Sequence, residues 1–178
     1  MAGARLADGV RGPFHGRMRP CVAVAGPGEA SEREVELARQ VGVLLARRGA
    51  VVVCGGLGGA MEACARGVTS AGGTVVGLLP GRDRAAGNPH LSLAVATGLG
   101  ELRNGLLVNT CDALVAVGGG WGTLSEVALA LRAGKPVALL ESWALPDAPS
   151  ATGGPHGPVE AATPAEAVEA VLPSARVT

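Results

Sequence analysis

Three glycine-rich stretches, each directly after a short apolar run, carry the residues of this sequence that are most able to do chemistry. They span residues 26–28, 55–59 and 118–122. Glycine lets a ligand approach the backbone closely, and a helix that begins just afterwards presents unpaired N–H groups and a partial positive charge. Such a combination predicts an anion site, for which phosphate is the usual occupant.

The third stretch is followed by two polar residues, Thr123 and Glu126. The Thr123 hydroxyl could donate to a phosphate or cap the helix that follows. A carboxylate at Glu126 would repel a phosphate unless a cation compensates the charge. Glu126 therefore either complements the helix N-terminus, worth ~0.3–1 kcal/mol, or reaches past the phosphate to an attached sugar. The second interpretation needs a nearby cation, and Arg103 is the candidate.

Alternating apolar runs predict the scaffold that positions these residues. Six strands are predicted, at residues 22–25, 50–54, 74–80, 91–97, 113–120 and 136–140. Helices are predicted between them, including residues 99–109 and 123–133, and residues 141–163 are predicted as loop. Ser31 and Glu34 form a capping box for the first helix. Thr163 and Pro164 mark the start of the last helix.

Continuously apolar strands that alternate with helices predict an α/β fold, a doubly wound (Rossmann-like), mostly parallel sheet with helices on both faces. Ligands of such folds bind outside the carboxyl ends of the strands, so the three glycine-rich stretches should share one rim. We expect residues 1–20 to form a flexible N-terminal arm. Residues 21–178 should form a single nucleotide-phosphate-binding domain, which is long enough to bury a core.

Composition disfavours several classes of function. The formal net charge is +0 and the aromatic content is 2%. Both values disfavour nucleic-acid binding. No apolar run approaches the ~20 residues of a membrane span, and the N-terminus lacks a signal-peptide core, so we expect a cytoplasmic protein. The four cysteines form no CxxC pair and are expected as buried small side chains. The scattered histidines predict no metal site.

Two common nucleotide motifs are missing. Neither the GxGxxG fingerprint at its proper strand–helix junction nor a GxxxxGK[ST] phosphate loop is present. An NAD-dependent dehydrogenase and a P-loop ATPase are therefore disfavoured.

Two segments of the chain resemble a known family. GGGWGTLSE (residues 118–126) resembles the PGGxGTxxE signature of the Lonely Guy phosphoribohydrolases, once called lysine decarboxylases, and CGGLGGAME (residues 54–62) resembles their GGGxxGxMG loop. The spacing back to Arg103 matches their catalytic arginine. The likeness covers residues 22–140. NPH, TGLGELRN and GGGWGTLSEVALAL are closer still to a bacterial branch that resembles the molybdenum-cofactor carrier protein of algae. DNA-processing protein A belongs to the same superfamily.

This resemblance implies hydrolysis of the N-glycosidic bond of a nucleoside 5′-monophosphate to a free base and ribose 5-phosphate. Arg103 and Glu126 would be the catalytic pair. No cofactor would be required, although a nucleotide or a molybdopterin-type ligand could be bound, and a homodimer or higher homo-oligomer is implied. The phosphate and ligand contacts would be Gly26, Gly28, Gly55, Gly56, Gly59, Met61, Asn104, Gly118, Gly119, Gly120, Gly122 and Thr123.

Three positions depart from the Lonely Guy pattern. Gly118 stands where that family has proline, Asn104 where it has lysine, and Cys54 where it has glycine. All three are features of the carrier-like branch. The alternatives left open are a phosphoribohydrolase, a non-catalytic binder of a nucleotide or pterin-type phosphate, and a DNA-binding protein. Trp121 could pack on a base or sugar, or against a second subunit.

Overall fold

A single seven-stranded parallel sheet organises the chain in the computed structural model, which describes residues 18–145 and 157–172. The strand order is β4-β3-β2-β1-β5-β6-β7, and every neighbouring pair is parallel. The doubly wound α/β prediction is confirmed. The strands are β1 (Cys21–Ala25), β2 (Val51–Cys54), β3 (Thr74–Leu79), β4 (Leu93–Ala96), β5 (Ala113–Val117), β6 (Val137–Leu140) and β7 (Val159–Ala161).

Five α-helices of the described residues cover both faces of the sheet. They are α1 (Glu32–Arg47), α2 (Ala60–Ser70), α3 (Arg103–Thr110), α4 (Trp121–Arg132) and α5 (Pro164–Val171). One buried cluster joins α1, α2 and α5 to the side chains of one sheet face, and a second joins α3 and α4 to the other face. Along β1, for example, Val22 and Val24 belong to the first cluster and Ala23 and Ala25 to the second. Burial on both faces explains why the strands are continuously apolar.

The predicted loop over residues 141–163 is wrong at its end, because β7 lies within it. Glu160 of β7 pairs with Leu139 of β6 in parallel register. This three-residue strand is exposed at Val159 and Glu160. A short edge strand with outward-facing residues leaves no apolar run in the sequence, so the pattern that predicted the other strands could not show it.

Helix starts follow the predicted caps in two places and depart from them in a third. The Ser31–Glu34 capping box is present, and Thr163 caps α5 with Pro164 in its first turn. The predicted start of a helix at Thr123 is wrong. Gly120 is the N-cap of α4, in extended backbone, so Thr123 lies inside the first turn and does not cap it.

The predicted helix at residues 99–109 is two elements. A 3₁₀ turn at Gly100–Leu102 comes first, and α3 begins at Arg103. The flexible arm assigned to residues 1–20 falls outside the described residues, except for residues 18–20. There the Arg19 guanidinium donates to the carbonyl oxygens of Gly49 and Ala50.

Helices α1 and α2 touch through their backbones. A Cβ added at Gly67 would collide with the carbonyl oxygen of Arg39, and one added at Gly42 would collide with that of Cys64. A methyl group cannot displace a helix backbone without separating the two helices. The close crossing of α1 and α2 therefore depends on glycine at both positions.

Gly67→Ala is expected to lower the free energy of unfolding by about 1–3 kcal/mol, because overpacking forces the helices apart. Gly105→Ala is the matched control, since Gly105 also lies within a helix but has no atom within 4 Å of its Cβ position. That control should gain about 0.5–1 kcal/mol from helix propensity. Urea denaturation of both variants measures the difference, and a shift of the same sign in both would contradict this account.

Candidate functional site

The three glycine-rich stretches lie together at one rim of the sheet. They follow β1, β2 and β5, which are neighbours in the order β2-β1-β5. Strand order reverses between β1 and β5, and such a switch point is where open α/β sheets bind their ligands. The first two stretches are also joined directly, because the Ala60 N–H donates to the carbonyl oxygen of Pro27 at 3.0 Å. The predicted common rim is therefore what the topology produces.

Arg103 and Glu126 form a buried ion pair at this rim. The first residue of α3 supplies the arginine and the second turn of α4 supplies the glutamate. Arg103 Nη1 donates to Glu126 Oε1 at 3.1 Å, and the side chains are 12% and 8% exposed. Within the described residues, the other carboxylate oxygen, Oε2, has no hydrogen-bond partner. The pair that the sequence predicted is brought together, with one acceptor oxygen free.

Gly55 creates the space for the Arg103 guanidinium. Nη1 and Nη2 lie 2.7 and 2.6 Å from the point that a Cβ at residue 55 would occupy, and Met61 Sδ lies 2.6 Å from it. Any side chain at this position would push the guanidinium out of place. The Arg103 Nε atom is buried with no hydrogen-bond partner among the described residues. Gly55 and Met61 thus shape the pocket of the arginine.

The glycines predicted as ligand contacts divide into two groups. Those of the first group face open space, with no atom within 4 Å of the Cβ position: Gly28, Gly120 and Gly122. Those of the second group would collide with the protein itself if they carried a Cβ: Gly26, Gly55, Gly56, Gly59, Gly118 and Gly119. Close packing within the protein already accounts for glycine in the second group. The first group is where a ligand has room to approach the backbone.

The backbone geometry at Gly118 explains why this chain lacks the proline that the Lonely Guy pattern has there. Its φ is +67°, a left-handed conformation that proline cannot adopt. The carboxylate of Glu34, from the capping box of α1, occupies the place where a side chain at 118 would project. Glycine at this position is therefore required by the local geometry of the chain.

The start of α4 offers donors for an anion. Gly120 has no side chain with which to cap the helix, so the first N–H groups are left for another partner. Thr123 lies in this first turn, 3% exposed, and its hydroxyl has no hydrogen-bond partner among the described residues. Free N–H groups, a free hydroxyl and the helix dipole together make this helix end suited to a phosphate.

Asn104 connects the two helices of the site. Its amide Nδ2 donates to Ser125 Oγ at 2.8 Å, and that hydroxyl donates to the Gly122 carbonyl oxygen at 2.7 Å. These two hydrogen bonds link α3 to the first turn of α4 and hold Arg103 and Glu126 in position. Sequence reasoning missed Ser125, although its position directly before Glu126 on the same helix was the available signal.

Burial changes the titration of Glu126. Removal from water raises its pKa from 4.5 to about 7, and the charge and hydrogen bond of Arg103 oppose part of that rise. A carboxyl group with a pKa near neutrality can exist in both protonation states at physiological pH. This property is what general acid–base catalysis needs.

The raised pKa makes stability depend on pH. Since the folded pKa exceeds the unfolded value, the contribution of Glu126 is fully present below pH 4.5 and is lost as pH rises to about 7. Between about pH 4.5 and pH 8, the wild type should lose about 3 kcal/mol of unfolding free energy relative to Glu126→Gln. Urea denaturation of both proteins across this range tests the linkage, and a constant difference would contradict it.

Two other kinds of site have no counterpart in the described residues. No group of three or more His, Cys, Asp or Glu side chains in this part of the chain is arranged to hold a metal ion. Among the same residues, no helix combines the length and the apolar character that crossing a membrane requires.

A parallel α/β sheet with glycine-rich loops at its switch point and a buried Arg–Glu pair defines a Rossmann-like protein of the Lonely Guy-like superfamily. Residues 19–168 match the SLOG cluster4 family, and the chain belongs to that family. The superfamily resemblance noted from the sequence is thereby confirmed.

Known proteins similar to this chain point to the carrier-like branch. The molybdenum cofactor binding protein of Rippkaea orientalis is 36% identical with a TM-score of 0.77, covering 86% of this chain and 96% of its own. The molybdenum cofactor carrier protein of Chlamydomonas reinhardtii is 33% identical with a TM-score of 0.73, over the same shares. An uncharacterized protein of Archaeoglobus fulgidus is 47% identical over 120 residues, which are 67% of this chain and 79% of that protein.

Proposed function

We propose that this protein binds a phosphorylated nucleotide-type ligand at the rim and hydrolyses the N-glycosidic bond of a nucleoside 5′-monophosphate. The observation that carries this proposal is the buried Arg103–Glu126 pair, which lies beside the uncapped start of α4. A phosphate held at that helix end leaves the sugar within the same pocket. One helix therefore supplies both the anchor and the reactive carboxylate.

The proposed chemistry uses the free oxygen of Glu126. As the bond from C1′ to the base nitrogen breaks, the ribosyl group becomes oxocarbenium-like and a carboxylate nearby stabilises it. Glu126 accepts a proton from water, and the oxygen of that water bonds to C1′ as the base leaves with the bonding electron pair. The base takes up a proton from solvent, and Glu126 later returns its proton to solvent. Arg103 orients the carboxylate through a charge-assisted hydrogen bond. Binding of the phosphate contributes remote binding energy to the reacting centre.

A second candidate is a non-catalytic carrier of a pterin-type phosphate such as the molybdenum cofactor. The similarity to two molybdenum-cofactor proteins at 36% and 33% identity favours it. The same uncapped helix start would anchor the phosphate of the cargo. Arg103 and Glu126 would then form a wall of the pocket and would leave the ligand unchanged.

Incubation with a panel of nucleoside 5′-monophosphates, followed by chromatography, tests the first candidate. We expect free base to be released from a 5′-monophosphate and none from the corresponding nucleoside, which lacks the anchor. Release from both would contradict the phosphate anchor. No release from any compound, together with thermal protection by a phosphorylated ligand recovered intact, would support the carrier instead.

We also propose that the protein acts as a homodimer or higher homo-oligomer in the cytoplasm, as the family resemblance implies. Light scattering of the purified chain measures its oligomeric state, and a monomer at micromolar concentration would contradict the proposed homo-oligomer. Residues 21–178 are proposed as one nucleotide-phosphate-binding domain.

A further inference from the structure

The two tryptophans of the chain meet at the functional rim. The sequence contains no others, and their ring centroids are 5.6 Å apart with a 33° angle between planes. Trp121 is the first residue of α4, and the residue is 80% exposed although it is large and apolar. Trp143 lies just beyond the end of β6. A chain this poor in aromatic residues has placed both of its indoles in one spot beside the proposed phosphate anchor.

Trp143 has a hydrogen-bond donor that no described residue accepts from. Its Nε1 atom is buried without a partner among the described residues, and it lies 2.8 Å from the Cβ position of Gly119 in the glycine-rich loop. An indole N–H only donates, and a buried donor without an acceptor costs free energy. Ser142 Oγ, its neighbour, is buried and unpartnered in the same way. Among residues 18–145 and 157–172, nothing accepts from these donors at this corner of the rim.

The tryptophan pair and the Arg103–Glu126 pair lie on different sides of the start of α4. Trp121 and Glu126 are five residues apart, which places them about 140° apart around the helix at 3.6 residues per turn. Glu126 contacts Arg103 of α3, whereas Trp121 contacts Trp143 beyond β6. A phosphate at the first N–H groups of α4 would lie between the two pairs.

We propose that Trp121 and Trp143 form a stacking platform for the flat heteroaromatic ring of a ligand whose phosphate binds at the start of α4. This inference rests on the phosphate anchor of the proposed function. The ligand class is a phosphorylated fused-ring heterocycle, of purine or pterin type, because such rings stack on an indole face. A ring on this side lies away from Glu126.

Guanosine 5′-monophosphate and ribose 5-phosphate are the probes, since only the first has a ring. Because the platform contains every tryptophan of the chain, we expect guanosine 5′-monophosphate to quench the intrinsic fluorescence strongly. Trp121→Ala should weaken its binding by about 10- to 100-fold, the effect of losing one stacked base. The same variant should bind ribose 5-phosphate within about 2-fold of wild type, and Trp121→Phe should retain most of the nucleotide affinity.

Calorimetric titration of both probes separates the failure of the platform from the failure of the anchor. Equal binding of guanosine 5′-monophosphate by Trp121→Ala and wild type would overturn the platform, while binding of ribose 5-phosphate would still support the anchor. Failure of both probes to bind the wild type would overturn both. A smaller oligomer of Trp121→Ala in light scattering, with nucleotide affinity unchanged, would assign the pair to a contact between two copies and overturn the platform as well.

Discussion

Glu126→Gln should reduce kcat for base release by about 10²- to 10⁴-fold while the affinity for ribose 5-phosphate stays within about 2-fold, the range for loss of a general base. Glutamine keeps the size and one acceptor oxygen, so Arg103 Nη1 still has a partner. Burial raises the pKa of Glu126 to about 7, so its carboxylate can accept a proton near neutral pH. The amide of glutamine cannot accept that proton.

Glu62→Gln is the matched control for that experiment. Glu62 lies in the first turn of α2 near the same rim, with its side chain 44% exposed and only a 4.0 Å approach to His90. We expect its kcat within about 2-fold of wild type, because an exposed carboxylate outside the pocket takes no part in proton transfer. Steady-state assays by chromatography compare the three proteins. Retention of more than half of the turnover by Glu126→Gln would remove Glu126 from the chemistry.

Gly120→Asp should weaken the binding of ribose 5-phosphate by at least ~100-fold and should stabilise the fold by a few tenths of a kcal/mol. Gly120 has the extended backbone of an N-cap (φ −151°, ψ 169°), and no atom lies within 4 Å of its Cβ position. An aspartate fits there without strain. Its carboxylate would bond the free N–H groups of α4 and would repel a phosphate from the place where we propose it binds.

Gly120→Ala separates the effect of charge from that of bulk. Alanine fits the same open space but neither caps the helix nor carries a charge, so binding should change by only a few-fold. Calorimetry with ribose 5-phosphate and thermal denaturation measure both effects for the two variants. An unchanged affinity in Gly120→Asp would place the phosphate elsewhere on the rim. Loss of stability in that variant would contradict the capping geometry.

Features encoded by neighbouring residues were predictable from the sequence. A strand followed by glycines and a helix is a local pattern, and parallel topology then brings the ends of β1, β2 and β5 to one rim. The partnership of Arg103 with Glu126 followed from the cation that a carboxylate beside a bound phosphate needs, strengthened by the family resemblance. The capping box at Ser31 is equally local, which explains why it was predicted correctly.

Features that depend on tertiary packing were not predictable in the same way. A glycine that admits a ligand and a glycine that admits a neighbouring side chain look alike in a sequence. Gly55 makes room for Arg103, whereas Gly122 faces open space, and only coordinates separate the two. The start of α4 was misplaced for a related reason, since Thr123 is a good cap by type but Gly120 has the capping backbone. Trp143 comes to the rim because β6, which precedes it, pairs with β5 in the sheet.

The backbone contact between α1 and α2 has a mechanical consequence for the rim. The two helices cannot slide or separate easily. Helix α2 begins directly after the second glycine-rich stretch, and α1 begins four residues after Gly28 of the first. The Ala60–Pro27 hydrogen bond joins these stretches. The Asn88 side-chain amide donates to the carbonyl oxygens of Gly56 and Leu57. These contacts hold this half of the rim in one arrangement, whereas the start of α4 on the other half carries the 80% exposed Trp121.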